Sequence, residues 1–343
     1  MYSVLSTFQN AQQTEDNIVT TQCFPNLSGK GFWRGVFTDK GKSIILSGRT
    51  VKIFNCDEER FVQTLSKFGN ALVAVSHSHE TICVVNASSK DVIILVEYVR
   101  NNEIFTEINR TSIKGINTDG GKPCFSCDDN KFFFCTEGRQ IWCYTRDDRK
   151  CICIYQVEHP DQWLSFDMYK DQLLVTLNSA SLTDHTGFDV LTLDGTCLKS
   201  LRFRDGQTFL KSVNGKWLDA DNFVIIYPMS VKYTYDIFQS ISWRLFDSIP
   251  HYSSHSIIER PGKAFYDVLI SPNRNFITWI WMDLLHGGRY VIEVHKLDTM
   301  EKINEYTVSL YMNTCFSDDD RYLFLCSEEF MRFDLATHFP KHS

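Results

Sequence analysis

The segments FSCDDNKFFF (residues 125–134) and FSDDDRYLFL (residues 316–325) share one design: an aromatic anchor, a turn of Ser, Asp and Asn, and a run of aromatic and aliphatic residues. Such a unit reads as two antiparallel strands joined by a tight turn, because Asp and Asn accept turn backbone while aromatic and β-branched residues favour strands. The unit recurs as FTDKGKSIIL from Phe37 and ISPNRNFITW from Ile270. Weaker copies are VSHSHETICV from Val75, FDMYKDQLLV from Phe166 and LDADNFVII from Leu218. The anchors recur at intervals averaging about 46 residues, the length of a four-stranded propeller blade with modest insertions. No stretch shows the 3.6-residue period that a helical repeat of this length needs.

Further strands follow each unit. In the first repeat the spacing predicts strands at Trp33–Phe37, Ser43–Ser47, Val51–Asn55 and Phe61–Ser66; in the third, at Pro123–Ser126, Phe132–Thr136, Gln140–Tyr144 and Lys150–Gln156. Sheets this short leave two apolar faces that only neighbouring sheets can cover, so they must stack into a ring. The last repeat offers Met312–Phe316, Tyr322–Cys326 and Phe330–Asp334 and lacks a fourth strand. Tyr2–Phe8 is strand-like, and pairing it with Phe330–Asp334 would close the ring and remove an exposed edge. The expectation is therefore an all-β fold, a seven-bladed β-propeller forming a single domain over residues 1–343. Its parts are a closing strand at 1–8, a polar connector at 9–31, blades over 32–334 and a tail at 335–343.

These units resemble the WD-repeat β-propeller family. The resemblance lies in the anchor, turn and second strand at Ile270–Ile277 and Phe316–Leu323, and in GRTVKIFN, Gly48–Asn55, which is similar to that family's third strand. Phe54-Asn55 and Phe333-Asp334 stand where the family has Trp-Asp, and no Gly-His dipeptide precedes a repeat. The resemblance implies a seven-bladed, WD-like scaffold or adaptor that binds protein partners.

The chain has 343 residues, 35 Lys plus Arg and 42 Asp plus Glu, a net charge of −7 that disfavours direct nucleic-acid binding. Its 43% hydrophobic and 22% charged residues fit a globular protein and exclude a disordered one. No apolar run reaches the length of a membrane span, and MYSVLSTFQN lacks the features of a signal peptide. The expected location is intracellular, cytoplasmic or nuclear. Twelve cysteines are too few for a disulfide scaffold of this size, and most are expected to be buried thiols.

In a meandering blade the loops between second and third strands emerge on one face, with the connectors between blades. Three long loops are expected there: Asn178–Gly187, Tyr227–Gln239 and Asp283–Arg289. The middle one, YPMSVKYTYDIFQ, carries Tyr227, Met229, Lys232, Tyr233, Tyr235 and Phe238. Aromatic and Met side chains are enriched at interface cores. Arg204, Arg260 and Lys263 in neighbouring connectors, with His286 and Arg289, make this sector locally basic. These residues form the candidate partner-binding site.

No catalytic motif occurs: G-x-S-x-G, H-E-x-x-H, Walker A and Rossmann glycine patterns are absent. The chain therefore reads as non-catalytic and without a cofactor, the alternatives being a phosphoinositide-bound, membrane-recruited propeller and a lactonase- or hydrolase-like propeller acting at the central channel. Asp128, Asp129, Asp318, Asp319 and Asp320 fall in strand turns, where Asp caps backbone amides. Cys124-x-x-Cys127 falls on strands of one blade together with Cys135, Cys143, Cys151 and Cys153, a layout that does not converge on zinc. His77-Ser-His79 is expected to face solvent. Leu201–Gly206, LRFRDG, resembles the Phe-Arg-Arg-Gly motif of phosphoinositide-binding propellers, the PROPPIN family, but puts Asp205 at the second arginine position. A carboxylate there repels phosphate.

Overall fold

The computed structural model describes residues 20–28, 30–67, 71–89, 92–114, 122–179, 186–202, 214–218, 222–230, 238–247, 252–261, 263–299, 301–328 and 330–336. Over 224–230, 238–247 and 252–261 the description is of the backbone alone. Among these residues the strands form seven four-stranded antiparallel sheets, numbered here in chain order from the one that begins at Phe32. Sheet 1 is Phe32–Thr38, Ser43–Gly48, Val51–Asn55 and Arg60–Ser66. Sheet 2 is Leu72–Val75, Thr81–Ser89, Val92–Asn101 and Ile104–Lys114. Sheet 3 is Cys124–Phe125, Lys131–Thr136, Gln140–Thr145 and Lys150–Gln156. Sheet 4 is Gln162–Tyr169, Gln172–Ser179, Gly187–Thr192 and Cys197–Arg202. Sheet 5 is Asn214–Trp217, Asn222–Ser230, Phe238–Asp247 and Tyr252–Pro261. Sheet 6 is Lys263–Ile270, Phe276–Asp283, Arg289–Lys296 and Lys302–Val308. Sheet 7 takes Tyr311–Phe316, Tyr322–Ser327 and Phe330–Asp334 from one end of the chain and Thr20–Cys23 from the other.

Burial follows position within each sheet. Second strands such as Ser43–Gly48 are buried along their whole length, because both their faces meet other sheets. Outer strands such as Arg60–Ser66 alternate between exposed and half-buried residues, with one face in water. Consecutive sheets share apolar clusters. Ile45 and Val84 join sheets 1 and 2, Val85 and Phe134 sheets 2 and 3, and Phe133 and Val175 sheets 3 and 4. Leu174 and Phe223 join sheets 4 and 5, Leu218 and Trp279 sheets 5 and 6, and Ile292 and Leu325 sheets 6 and 7. Phe54 and Phe324 join the seventh sheet to the first. Each fully buried large apolar side chain contributes about 1.5–3 kcal/mol, so these interfaces carry the stability of the fold.

The outer strand of sheet 7 corrects one expectation. Thr20 pairs with Asp334, Thr21 with Phe333, Gln22 with Arg332 and Cys23 with Met331, so the place beside Phe330–Asp334 belongs to residues 20–23. Those residues had been assigned to the polar connector, and Tyr2–Phe8 lies outside the described residues. The reason is distance along the chain. A short 3-10 turn, Pro25–Leu27, leads from Cys23 towards the inner strand of sheet 1, with Phe24 and Leu27 fully buried on the way. The Phe24 ring meets Phe54 of sheet 1 at 5.4 Å, and its N–H donates to the Phe330 carbonyl of sheet 7 at 2.8 Å.

No disulfide joins any of the twelve cysteines. Cys56, Cys83, Cys135, Cys143 and Cys326 are buried, and burial pushes the Cys56 thiol up to about 12. Cys23, Cys127, Cys153 and Cys197 are exposed, because three of them lie on outer strands and Cys127 in a turn; for Cys127 and Cys153 this corrects the reading as buried structural thiols. Alkylation of the native protein should label these four, whereas the five buried thiols should react only after denaturation; mass spectrometry reads the difference. Replacing Phe24 with Ala should lower the unfolding free energy by about 3–5 kcal/mol in chemical denaturation, as for a large aromatic removed from a core.

Candidate docking face and channel

The meander of each sheet separates the loops onto two faces. Second-to-third loops and the connectors between sheets emerge on what we call the connector face. First-to-second and third-to-fourth turns emerge on the other, the turn face.

The turn face is built from one repeated device. Ser76, Ser126, Ser271 and Ser317 each donate their N–H to the carbonyl five residues on, at 2.8–2.9 Å, and accept at their own carbonyl from the N–H three residues on. The fourth residue of each turn takes a left-handed backbone: His79, Asp129, Arg274 and Asp320, with φ of +62°, +57°, +62° and +59°. Asp128 and Asp319 cap their own turns as expected, accepting from the Asn130 and Arg321 N–H groups at 3.1 Å each. Asp129 and Asp320 instead reach the preceding sheet. Asp129 accepts from the N–H groups of His77 (2.7 Å) and Ser78 (2.9 Å) and lies 3.0 Å from the His77 ring. Although burial opposes it, donation by Ser78 and His77 holds the Asp129 carboxyl below its usual range. Asp320 accepts from Ser271 Oγ at 2.6 Å and from the Asn273 N–H at 2.9 Å.

Two further contacts skip a sheet. His79 Nε2 lies 3.2 Å from Asp318 Oδ2, joining sheets 2 and 7 across sheet 1. The Arg274 guanidinium stands 4.5 Å from the Tyr169 ring centre, joining sheets 6 and 4 across sheet 5. His77 is exposed as expected, but His79 is largely covered, since its left-handed position turns it inward.

The central channel holds charges of both signs. Lys122 Nζ donates to the Thr314 carbonyl at 3.0 Å, spanning from sheet 3 to sheet 7. Lys216 Nζ lies 3.6 Å from Asp167 Oδ1, while Asp167 Oδ2 accepts from the Trp217 N–H at 2.8 Å. Burial holds the Lys122 ammonium below the usual lysine range, and Asp267 and Asp167 oppose that shift. Two ammonium groups thus stand against two carboxylates, which neutralises the channel locally. Among the described residues, no three His, Cys, Asp or Glu side chains gather as a metal site.

The connector face is where apolar side chains reach water. Twelve large apolar residues are exposed among the described residues, and six of them, Trp33, Trp163, Tyr266, Leu284, Leu285 and Leu310, lie on this face. The other six, such as Val62 and Ile108, lie on outer strands. Trp33 and Trp163 are the second residues of their inner strands and Tyr266 the fourth of its own, three or four positions before the anchors Phe37, Phe166 and Ile270. The sequence reasoning missed them, and an aromatic at that offset was the available signal.

The expected site residues are placed unevenly. Asp283 and Arg289 bound the sheet 6 loop as expected, and both His286 and Arg289 are exposed. In sheet 5 the insert is shorter. Its second strand continues through Tyr227 and Met229 to Ser230, paired in register with Ser242, Ser240 and Gln239, and Phe238 opens the third strand. The alternation of I-I-Y-P-M-S carries the ladder onward to Ser230, and residues 231–237 lie outside the described residues. Arg260 lies in the outer strand of sheet 5. Lys232, Tyr233, Tyr235 and Arg204 lie outside the described residues.

In the lipid-like segment, Arg202 donates from both terminal nitrogens to Asp189 at 2.6 and 3.0 Å, and Tyr155 donates to the same carboxylate at 2.5 Å. Arg202 thus spends its guanidinium on a buried carboxylate although its own side chain is partly exposed, and the motif's matching arginine, Arg204, lies outside the described residues.

No protein-family model matches the sequence, and no curated protein matches it. The fold is similar to that of the Cps50 (Swd1) β-propeller domain of Myceliophteria thermophila, with a TM-score of 0.61 over 93% of this chain and 99% of that one. The two are 7% identical, a likeness of fold alone.

Asp189 yields a pH prediction. Burial disfavours its charge, but Arg202 and Tyr155 donate strongly enough to hold the carboxyl below its ordinary value of 3.8. A depressed carboxyl stabilises the fold above that value and loses its effect as the pH falls through the folded value. Asp189→Asn should therefore cost roughly 1–3 kcal/mol at neutral pH and flatten the acid limb of stability against pH, as read by urea unfolding.

Proposed function

We propose that the chain is a closed, seven-bladed, WD-like propeller acting without catalysis as an intracellular scaffold or adaptor that binds a protein partner through its connector face. The observation that carries this reading is the segregation of exposed apolar side chains: away from the outer strands they collect on one face. Contiguous exposed apolar surface marks interaction sites, whereas single apolar residues on a surface are ordinary. Closure is supported by the apolar cluster shared by the seventh and first sheets and by the pairing of Thr20–Cys23 with Phe330–Asp334. Pairing of Lys216 with Asp167 in the channel supports a protein partner over a channel substrate, and Asp205 at the second arginine position of the lipid-binding motif disfavours a phosphoinositide headgroup. Twelve cysteines without a disulfide support a reducing compartment, cytoplasm or nucleus.

The partner site in this reading includes Tyr227, Met229, Lys232, Tyr233, Tyr235 and Phe238 of sheet 5, rimmed by Arg204, Arg260, His286 and Arg289. Tyr233→Ala combined with Tyr235→Ala should cost a bound partner about 2 kcal/mol or more per anchoring residue with little change in melting temperature. Partner recovery per folded molecule is the measurement, with Glu80→Ala on the turn face as control. A sharp fall in melting temperature with undiminished recovery would place those rings in the blade core and defeat the assignment.

A further inference from the structure

Sheet 6 presents a rigid, apolar hairpin tip. Asp283 Oδ1 accepts from the N–H groups of Leu285 (3.0 Å) and His286 (3.1 Å), and its Oδ2 lies 2.9 Å from His286 Nδ1. Gly287 and Gly288 take φ of +80° and +74°, backbone that favours glycine, and the Gly288 N–H returns to the Asp283 carbonyl at 2.9 Å. The loop so fixed holds Leu284 and Leu285 in water, Leu285 with 73% of its surface exposed. Just below, Tyr290 meets Tyr266 at 5.0 Å and Tyr311 at 5.7 Å, and Tyr266 meets Tyr311 at 5.5 Å. Leu310, also exposed, precedes Tyr311 on the connector to sheet 7. Leucines from two loops therefore flank one cluster of tyrosine rings.

The charges around this patch are unevenly spent. Asp283 is occupied by the hairpin, and Glu328 accepts from the N–H groups of Ser309 and Leu310, 2.8 Å each. Arg289 is exposed and Lys263 half-exposed, and among the described residues neither is joined to a carboxylate. The two carboxylates are spent on backbone amides, while Arg289 and Lys263 make no bond of that kind among the described residues.

From this geometry we infer that the blade 6–7 edge of the connector face docks an acidic peptide segment of a partner protein, one carrying bulky apolar anchors between Asp and Glu residues. The inference rests on the docking-face reading above and deepens it. Apolar anchors fit over the tyrosine cluster between Leu284, Leu285 and Leu310, while flanking carboxylates meet Arg289 and Lys263. Because the hairpin tip is already held by Asp283, docking orders little of this surface, which favours affinity. The exposed cations set the sign of the partner and the salt dependence of its capture.

The test uses the full chain and two labelled synthetic peptides with identical Leu and Phe positions, one flanked by Asp and Glu and the other by Lys and Arg. Fluorescence anisotropy should show the acidic peptide binding and weakening with added salt, and the basic peptide failing to bind. Leu284→Ser with Leu285→Ser should weaken the acidic peptide at least about tenfold, and Arg289→Glu should weaken it and flatten its salt dependence. Melting temperatures should stay at the parental value, since these side chains face solvent. Equal binding of both peptides, or unchanged binding to the double leucine variant, overturns the inference. So does a protein that sediments as a dimer and becomes monomeric on the leucine change, because the patch then serves a second copy of the chain. If a native partner is lost with the sheet 5 tyrosines but kept with the leucine variant, this assignment falls while the docking face stands. If no connector-face variant affects recovery, both fall.

Discussion

The second strand of nearly every sheet in this protein is apolar on both sides, and water must be kept from both at once. KFFFCT in sheet 3 and FITWIW in sheet 6 have no solvent face to turn outward. A sheet of this kind is unstable alone and also when only one neighbour is present. The requirement reaches its limit where the chain starts and stops, since a first and a last sheet would each be left with a bare side. Packing Phe324 against Phe54 and Phe24 removes that exposure, so every other interface depends on the one that unites the two termini.

Local chemistry made much of this legible in the sequence. The turn residues around Asp128 and Asp319 and the aromatic runs after them mark hairpins through the backbone preferences of individual residues, and those strands stand within a residue or two of their expected bounds. Long-range choices were less accessible. Whether residues 2–8 or 20–23 cover Phe330–Asp334 depends on the short path from Cys23 through Pro25 to Phe32, which no propensity encodes. The length of the sheet 5 insert was misread for a related reason: Tyr227 and Met229 are equally suited to a loop interface and to an extended ladder. The channel set was invisible because Lys122, Asp167, Lys216 and Asp267 lie far apart in sequence and belong to no motif.

The repeated turns show how one backbone device can serve several purposes. The left-handed fourth position aims its side chain at a neighbour, and the residue chosen there decides the link. Asp129 and Asp320 bind the amides of the preceding turn, His79 meets an acid two sheets away, and Arg274 stacks over an aromatic ring. The serine that opens each turn is constant while the fourth side chain varies. Such a scheme keeps the hairpin geometry independent of the contacts that knit the turn face together, leaving the connector face free to carry apolar surface.

The composite seventh sheet also bears on how the protein is made. Arg332 bonds to Gln22 across a separation of 310 residues, so Thr20–Cys23 waits for Phe330–Asp334 to be synthesised. Bringing ends that far apart together costs about 5 kcal/mol in chain entropy before any contact repays it. During synthesis the first six sheets can stack in order, but the first keeps an uncovered apolar side and Thr20–Cys23 has no strand to join. A chain halted before residue 311 would therefore expose the apolar side of sheet 1 that Phe324 covers in the finished fold.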